Sequence, residues 1–350
     1  MTIDALESHP KAVWYGPDFA ADDGWIHPLT TAQIAELAFV ADRALARAVP
    51  MAELARRDFE LPEMAPLLAR IQSEVLAGRG FALIRGMPVD DWGTEKSAMA
   101  YWAIGLQIGW PVSQNAKGHL LGHICDLRPD LTDPKTRRYA TNLAQPYHTD
   151  SCDIVSLLCL HEAMEGGLSS MSSSTTIYKE ILQRRPDLAE VLHRPFPYDR
   201  KGEIPQGKDE FYMLAVVHDY GGYLTVLYNR DFIDSSQRHP DCPRLTDAQI
   251  EAMDLFDELA ASPEIRIDME LLRGDMQFVH NHQIVHSRTE YTDHPELDRR
   301  RHLLRLWLAP PNGRPLPTVF AERYGSIDQG TRRGGIRVPG HLEQVVLVPE

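Results

Sequence analysis

The sequence contains few cysteines, and none of them belongs to a zinc-finger or dithiol pattern. The four cysteines are Cys125, Cys152, Cys159 and Cys242, and no two of them form a Cys-x-x-Cys pair. So few cysteines in a chain of 350 residues indicate a reducing compartment rather than a disulfide-stabilised secreted protein. We therefore predict a cytoplasmic protein.

The sequence also lacks an excess of positive charge and long apolar runs. Its 36 Lys and Arg residues stand against 50 Asp and Glu residues, which gives a net charge of −14. A general nucleic-acid binder needs a basic field, so we expect no nucleic-acid partner. No apolar run reaches the roughly 18 residues of a membrane span. The first stretch, "MTIDALESHPKAVWYGPDF", has no basic start followed by an apolar run, so we expect no secretory signal and no membrane partner.

No linker rich in proline, glycine or serine divides the chain, and no internal repeat is present. A chain of this length can bury one large core. We predict a single domain over residues 1–350. It would comprise a mainly helical N-terminal part with the first strand (1–110), a β core with inserted helices (111–311) and a C-terminal closing segment (312–350).

The hydrophobic pattern changes from helical spacing to short strand-like runs along the chain. Helical spacing predicts helices at 31–48, 66–80, 94–109, 175–185 and 246–262. Thr246 and Gln249 stand at capping-box spacing at the start of the last helix. Runs of strand formers predict strands at 81–89, 153–160, 223–230, 275–281 and 301–310. This pattern favours an all-β core, a sandwich or barrel, with flanking helices.

The stretch "QPYHTDSCD" (145–153) places His148 two residues before Asp150. In extended backbone these two side chains point to the same side. Two histidines and one carboxylate on one face of an octahedron suit iron(II) oxygen chemistry. One His-x-Asp triplet is weak evidence. A second, His239-Pro240-Asp241, lies among turn residues, and we interpret it as a surface loop.

A third metal ligand has several candidates in "GDMQFVHNHQIVHSRTEY" (274–291). Gly274-Asp275 indicates a turn, "MQFVH" a strand, and Asn281 a further turn. The candidates are His280, His282 and His286. Spacing alone does not choose among them, and each could instead be a hydrogen-bonded or exposed histidine.

An arginine-rich strand follows in "RRRHLLRLWLAPP" (299–311). Alternation places Arg301, Leu303, Arg305 and Trp307 on one face of the strand. A buried guanidinium without an anion is costly, and its planar donors match a carboxylate. Arg305 therefore needs either an Asp or Glu of the protein or an acidic ligand.

These segments together resemble a known family. "YHTD" (147–150), "EGGLSSMSS" (165–173), "GDMQFVHNHQIVHSRTEY" and "RRRHLLRLWL" (299–308) are similar to segments of the iron(II)/2-oxoglutarate-dependent oxygenases of the taurine dioxygenase and clavaminate synthase-like group. The resemblance implies a double-stranded β-helix (jelly roll) as one catalytic domain. It also implies Fe(II) as cofactor, with 2-oxoglutarate and O2 as co-substrates. The implied reaction hydroxylates an unactivated C–H of a small molecule and releases succinate and CO2.

The resemblance also implies roles for individual residues. In the family the distal histidine lies five residues after an Asn, so His286 joins His148 and Asp150 as the third iron ligand. Arg305 is expected to hold the distal (C5) carboxylate of 2-oxoglutarate, with Arg301 near the C1 carboxylate. Ser172, after the Gly-Gly turn, is expected to assist in binding a carboxylate of 2-oxoglutarate. Family members are often dimers or tetramers, so a homo-oligomer is expected.

The chain departs from taurine dioxygenase in its expected substrate contacts. The asparagine that contacts taurine falls on Ala144 here, which argues against taurine as substrate, while the presence of Asp150 favours hydroxylation over halogenation. Candidate substrate contacts, each of which could equally be an ordinary turn or core residue, are Gln114, Asn115, Asn142, Ser151, Tyr228 and Arg288. The Gly- and Arg-rich stretch 323–341 is either a mobile flap or a plain surface loop.

Three other functions compete with hydroxylation. A cupin-type β-barrel enzyme would use the metal ligands without 2-oxoglutarate, and would not need Arg305 and Ser172 together. A member of the same family could instead catalyse ring closure or desaturation. A non-catalytic β-barrel binding protein would leave the three metal-type residues without a role.

Overall fold

The computed structural model describes residues 8–350 of the chain. The strands in chain order are β1 (Ile26–Pro28), β2 (Phe81–Arg85), β3 (Trp110–Pro111), β4 (Leu121–Ile124), β5 (Gln145–His148), β6 (Ile154–His161), β7 (Glu165–Gly166), β8 (Ser169–Ser173), β9 (Pro195–Asp199), β10 (Phe211–Ala215), β11 (Val217–Tyr220), β12 (Tyr223–Val226), β13 (Ile267–Met269), β14 (Met276–His280), β15 (Ile284–Arg288), β16 (Tyr291–Thr292) and β17 (His302–Ala309). The helices are α1 (Thr31–Ala46), α2 (Ala65–Ala77), α3 (Val89–Ile108), α4 (Ser174–Arg184), α5 (Pro186–Leu192), α6 (Arg230–Ser236), α7 (Asp247–Ala261) and α8 (Ala321–Tyr324).

Two sheets form the centre of the molecule. The larger has seven strands in the order β1-β2-β14-β6-β17-β3, with β4 also paired to β17. The smaller has four strands in the order β13-β8-β15-β5. Neighbours within each sheet are antiparallel, except for the parallel pair β1 and β2. The predicted jelly roll with flanking helices is therefore confirmed.

The alternation of β17 separates two kinds of environment. Its outward side chains Leu304, Leu306 and Leu308 pack into a core shared with helices α1 to α3. Its inward side chains Leu303 and Trp307 pack in a second core between the two sheets. Because the inner face also carries two arginines, this strand brings charged groups between the sheets.

Several predicted elements end or begin elsewhere than expected. The strand predicted at 223–230 ends at Val226, because the Asn229 side chain accepts a hydrogen bond from the Phe232 backbone and caps helix α6. The strand predicted at 81–89 ends at Arg85, and α3 begins at Val89. Strand β15, which carries His286, and the buried serine strand β8 were not predicted.

The C-terminal segment 312–350 packs against the core, so its Gly- and Arg-rich stretch 323–341 is neither a free flap nor a plain surface loop. Near its end, the Leu120 backbone N–H donates to Gln344 O, and the Gln344 N–H donates to Gly118 O. Further back, Arg333 and Ile336 are fully buried. Within residues 8–350, no helix combines the length and hydropathy needed to cross a bilayer.

The predicted capping box of α7 is present and supports a stability test. The Thr246 hydroxyl accepts from Gln249 N, and the Gln249 side chain accepts from Thr246 N. We expect Thr246→Ala to lower the free energy of unfolding by about 1 kcal/mol, because a backbone N–H loses its partner. Thr246→Ser keeps the oxygen and should match the wild type in urea unfolding. Equal stabilities of the Ala and Ser variants would contradict this assignment.

Candidate metal centre

The three predicted ligands meet at one rim of the smaller sheet. His286 on β15 is the register partner of His148 at the end of β5, and Asp150 follows two residues later. One ligand atom from each of the three residues lies within 4.8 Å of the others. Nε2 of His148 lies 3.8 Å from Asp150 Oδ1, and Nε2 of His286 lies 3.8 Å from Asp150 Oδ2.

Hydrogen bonds from both sheets fix the orientation of these ligands. Trp307 Nε1 donates to Asp150 Oδ2 at 3.0 Å, and Arg305 Nη1 lies 3.3 Å from the same oxygen. The Asp150 backbone N–H donates to Asn281 Oδ1 at 3.0 Å. His148 Nδ1 lies 2.9 Å from Pro146 O. With its proton on Nδ1 in that hydrogen bond, His148 keeps the lone pair of Nε2 for a metal ion, and the Gln145 side-chain amide lies 2.9 Å from this Nε2.

Electrostatics favour the charge states that metal ligation requires. Burial raises the pKa of Asp150, but nearby positive charge, first that of Arg305, outweighs it and holds the pKa at about 2. Burial lowers the pKa of His148, and burial together with His148 lowers the pKa of His286 to about 3. An ionised carboxylate and two neutral imidazoles are the forms that bind a divalent ion.

The donor set fits a first-row metal ion. Two imidazoles and one carboxylate converge from one side, as in facial iron(II) sites that leave positions open for other ligands. Each histidine Nε2 lies 3.8 Å from an Asp150 oxygen, which is longer than a hydrogen bond. No proton is therefore shared between Asp150 and either imidazole. The imidazole of His286 has no hydrogen-bond partner for Nδ1 among the described residues.

An inner cavity of about 40 Å³ extends from the metal ligands between the sheets. Besides the three ligands, its polar lining comprises Tyr139, Gln145, Ser169, Gln277, Ser287, Arg288, Arg301 and Arg305. In the described part of the chain, Nη1 of Arg301 and both Nε and Nη1 of Arg288 are buried without a hydrogen-bond partner. Burial lowers the pKa of Arg301, and burial together with Arg301 lowers the pKa of Arg288 to about 10. A carboxylate ligand would satisfy these buried donors.

An outer cavity of about 300 Å³ lies on the other side of the ligands. It shares Tyr139, Gln145 and Arg305 with the inner cavity, so the two meet at the metal centre. Charged and aromatic residues farther out in its wall are Asp133, Arg137, Arg138, Tyr147, Lys201, Arg230, Asp231, Phe232 and Asp234. The outer cavity therefore presents charges of both signs.

Comparison with known proteins decides the family. The model of the family described as "Taurine catabolism dioxygenase TauD, TfdA family" matches residues 42–307. The chain belongs to this family. FR-33289 synthase from Streptomyces rubellomurinus (strain ATCC 31215) is 32% identical to this TauD/TfdA-family protein over 325 residues, covering 90% of this chain and 94% of the synthase.

Solved structures share the fold of this TauD/TfdA-family protein. Asparagine oxygenase in complex with Fe(II), 2S,3S-3-hydroxyasparagine and succinate superposes with a TM-score of 0.64 at 15% identity, covering 81% of this chain and 93% of that one. The non-heme iron oxygenase OrfP in complex with Fe and alpha-ketoglutaric acid gives a TM-score of 0.62 at 16% identity, with the same coverage.

Family membership establishes the type of enzyme. This TauD/TfdA-family protein is an iron(II)- and 2-oxoglutarate-dependent oxygenase that acts on a small molecule, as the sequence predicted. The cupin-type enzyme and the non-catalytic barrel are set aside, since the match spans most of the chain and includes the buried arginines.

Ser172 and Tyr228 point away from both cavities. The Ser172 hydroxyl donates to Ala260 O at 2.7 Å, whereas Ser169 lines the inner cavity. The phenol of Tyr228 donates to Asp257 at 2.7 Å and lies beneath helix α7. The structure therefore does not bring Ser172 or Tyr228 to the lining of either cavity, where the sequence predicted a co-substrate contact and a substrate contact.

The remaining substrate candidates also lie outside the outer cavity. Gln114 accepts from Arg305 Nε at 2.7 Å and donates to Arg305 O at 2.7 Å, so it supports Arg305. Asn115 caps the turn before His119, Asn142 donates to Tyr291 O, and the Ser151 carbonyl accepts from the Gly335 backbone. Arg288 lines the inner cavity rather than the outer one.

The other candidate histidines have protein partners. His282 Nε2 lies 3.0 Å from Asp153 Oδ1, and His280 Nδ1 accepts from the His282 backbone at 3.2 Å. His239 lies in a loop as predicted, but its imidazole is buried between Asp199 and Glu210. Pro240 and Asp241 of the same triplet are exposed, so the predicted surface loop is present and only the His239 side chain is buried.

Sequence reasoning missed several residues that contact the ligands or cavities. Trp307 shares a strand face with Arg305, so alternation alone could have assigned it to the site. Ser169 and Ser172 both follow the Gly-Gly turn. The structure distinguishes them, because Ser169 lines the inner cavity and the Ser172 hydroxyl bonds Ala260 O. Gln145 and Tyr139 belong to segments without a periodic pattern, and no sequence signal marked them.

We expect His286→Ala to weaken Fe(II) binding by more than about 100-fold, because one of three donor groups is lost. Anaerobic calorimetric titration with Fe(II) measures this affinity. Asp241→Ala, which removes the carboxylate of the other His-x-Asp triplet, should leave it unchanged. The ligand assignment would be wrong if the two variants behaved in the opposite way.

Proposed function

We propose that this enzyme hydroxylates a C–H of a small polar molecule held in the outer cavity, with iron bound by His148, Asp150 and His286. The observation that carries this proposal is the position of the three ligands between two cavities. The inner one is lined by buried arginines and the outer one by charges of both signs. Desaturation or ring closure would use the same groups, and product analysis distinguishes these outcomes.

When bound, iron and 2-oxoglutarate would supply the oxidation: 2-oxoglutarate would be converted to succinate and CO2, with one atom of O2 entering succinate and the other entering the substrate. The chain's own residues hold and orient the reactants. Trp307 and Arg305 hold the Asp150 carboxylate in one orientation. Arg288, Arg301 and Arg305 are buried between the two sheets, where a lower local dielectric strengthens charge interactions.

The positions of the arginines favour an orientation of 2-oxoglutarate opposite to the one that the family resemblance implies. Arg305 lies against the ligand Asp150, and Gln114 fixes its Nε. Arg301 lies four residues away along β17, or about 13 Å of strand. Because the chelating C1 end must lie at the metal, we assign Arg305 to the C1 end. Arg301 and Arg288, with Ser169, would bind the C5 carboxylate.

The outer cavity supports a small substrate with polar groups. Its volume of about 300 Å³ is at the lower end of the usual range for ligand pockets. Its arginines are largely paired with the chain's own acids, as in Arg138 with Asp231 and Arg230 with Asp234. The solved asparagine oxygenase complex holds a hydroxylated amino acid. We therefore propose an amino-acid-sized substrate that carries charges of both signs.

We further propose that the protein works in the cytoplasm as a dimer or tetramer and without a nucleic-acid partner. The four cysteines are free and buried, and the net charge is −14. Analytical ultracentrifugation tests the oligomeric state, and a sedimentation coefficient of a monomer would exclude the dimer and tetramer.

Arg301→Met should raise the KM for 2-oxoglutarate by about 100-fold, because a charge-assisted pair worth roughly 2–3 kcal/mol is lost. The analogue 2-oxovalerate lacks the C5 carboxylate, and its KM should hardly change in this variant. The exposed Arg299→Met is the matched control and should resemble the wild type. Equal effects of Arg301→Met on both oxo acids would contradict the C5 assignment.

A serine pair tests the lining of the inner cavity. Ser169→Ala should raise the KM for 2-oxoglutarate several-fold, about the worth of one hydrogen bond to a charged group. Ser172→Ala removes a hydroxyl bonded to Ala260 O and should leave this KM unchanged. Steady-state succinate release measures the KM of both variants. A raised KM in Ser172→Ala alone would instead support the co-substrate contact that the family resemblance implies for Ser172.

The function itself can be tested before the substrate is identified. Anaerobic addition of Fe(II) and 2-oxoglutarate should produce a metal-to-ligand charge-transfer band. A panel of amino acids, small carboxylates and lipophilic acids should then contain a compound that stimulates O2-dependent succinate release and gains one oxygen atom. Absence of both the band and succinate formation would refute the proposal.

A further inference from the structure

The three residues after the ligand Asp150 are all held by the C-terminal segment. The Ser151 carbonyl accepts from Gly335 N at 2.8 Å, and the Cys152 carbonyl accepts from the Tyr324 hydroxyl at 3.3 Å. The Asp153 side chain pairs with Arg333. A segment more than 170 residues away in sequence therefore fixes the backbone next to the metal centre.

The pair between Arg333 and Asp153 is bidentate and fully buried. Nε of Arg333 donates to Asp153 Oδ2 at 2.9 Å, and Nη2 donates to Oδ1 at 2.6 Å. Two further hydrogen bonds run from Arg333 to Ile327 O and Arg314 O. Both side chains are almost completely shielded from solvent, so loss of either partner would leave an uncompensated buried charge.

Asparagine 281 connects this ion pair to the metal ligand. The Asn281 backbone N–H donates to Asp153 O at 3.0 Å, while its side-chain oxygen accepts from Asp150 N at 3.0 Å. The Asn281 amide also donates to Cys152 Sγ at 2.9 Å. The next residue, His282, lies 3.0 Å from Asp153 Oδ1. A continuous set of hydrogen bonds therefore joins Arg333 to the backbone of Asp150.

The glycines after Arg333 allow this close approach. Gly334 and Gly335 have φ of 79° and 77°, a conformation that other residues rarely adopt. A Cβ at Gly334 would lie 2.9 Å from Ser151 O, and one at Gly335 would lie 2.8 Å from Ser113 O. The Arg-Gly-Gly sequence is therefore shaped to place the chain against the loop that follows Asp150.

We propose that Arg333 is a positioning residue for the metal centre, acting through Asp153 and Asn281 on the orientation of Asp150. The inference rests on the proposed function, because it assumes that Asp150 ligates iron. It assigns the Gly- and Arg-rich C-terminal stretch a fixed role in metal-site geometry, in place of a flap over the substrate. No bond of the reaction involves Arg333 itself.

The test compares Arg333→Met, Arg333→Lys and the double variant Asp153→Asn/Arg333→Met with Arg332→Met. The double variant removes both charges, so it avoids an unpaired buried carboxylate and keeps the experiment informative if Arg333→Met does not fold. Arg332 is the neighbouring residue and forms a partly exposed pair with Glu343, which makes it the matched control. Circular dichroism confirms folding before each measurement.

We expect the double variant to bind Fe(II) about 10- to 100-fold more weakly than the wild type, the size of effect seen for residues that orient a metal ligand. Its anaerobic charge-transfer band with Fe(II) and 2-oxoglutarate should shift, and it should release more succinate per substrate hydroxylated. Arg333→Lys keeps the charge and should recover part of the affinity, while Arg332→Met should match the wild type.

Two results separate the possible failures. If the folded double variant keeps the wild-type Fe(II) affinity, band position and coupling ratio, Arg333 has only a structural role and this inference is wrong. If the wild type itself shows no Fe(II)-dependent band with 2-oxoglutarate, the proposed function fails instead.

Discussion

The Asp150 carboxylate is a buried anion, and the surrounding structure is arranged to hold it in one orientation. Trp307 and Arg305 contact its Oδ2 from the larger sheet, while His148 and His286 approach from the smaller sheet. A buried carboxylate is tolerated only where hydrogen bonds and positive charge replace its hydration. Its position between the sheets therefore links their packing directly to the chemistry of the site.

The pairing of charged side chains also differs between the two cavities. On the inner side, Arg288 and Arg301 flank the ring of Tyr291 and keep guanidinium nitrogens without partners among the described residues. An acidic co-substrate would give these nitrogens hydrogen-bond partners and so offset the free-energy cost of burying the two guanidinium groups. On the outer side, arginines are paired with the chain's own acids, so this cavity does not attract anions in the same way. The metal centre lies where the two environments meet.

Sequence reasoning succeeded where periodic patterns and motif order carry information. The alternation of 301–308 predicted which side chains face the site, and the jelly roll was implied by the family resemblance that four segments carry. It failed where a choice depends on which way a side chain points in the folded protein. Ser169 and Ser172 are both in β8, yet only Ser169 lines the inner cavity. The assignment of Arg301 and Arg305 to the two ends of 2-oxoglutarate likewise depends on their distances from the metal centre along β17, which sheet register fixes. The domain boundaries stay a prediction.

The most direct test of the account is a crystal structure of the enzyme with Mn(II) and N-oxalylglycine, an unreactive analogue of 2-oxoglutarate. The account predicts a metal bound by His148, Asp150 and His286, with the distal carboxylate of the analogue against Arg301 and Arg288 and its chelating end beside Arg305. A metal bound by other residues, or a distal carboxylate paired with Arg305, would contradict it.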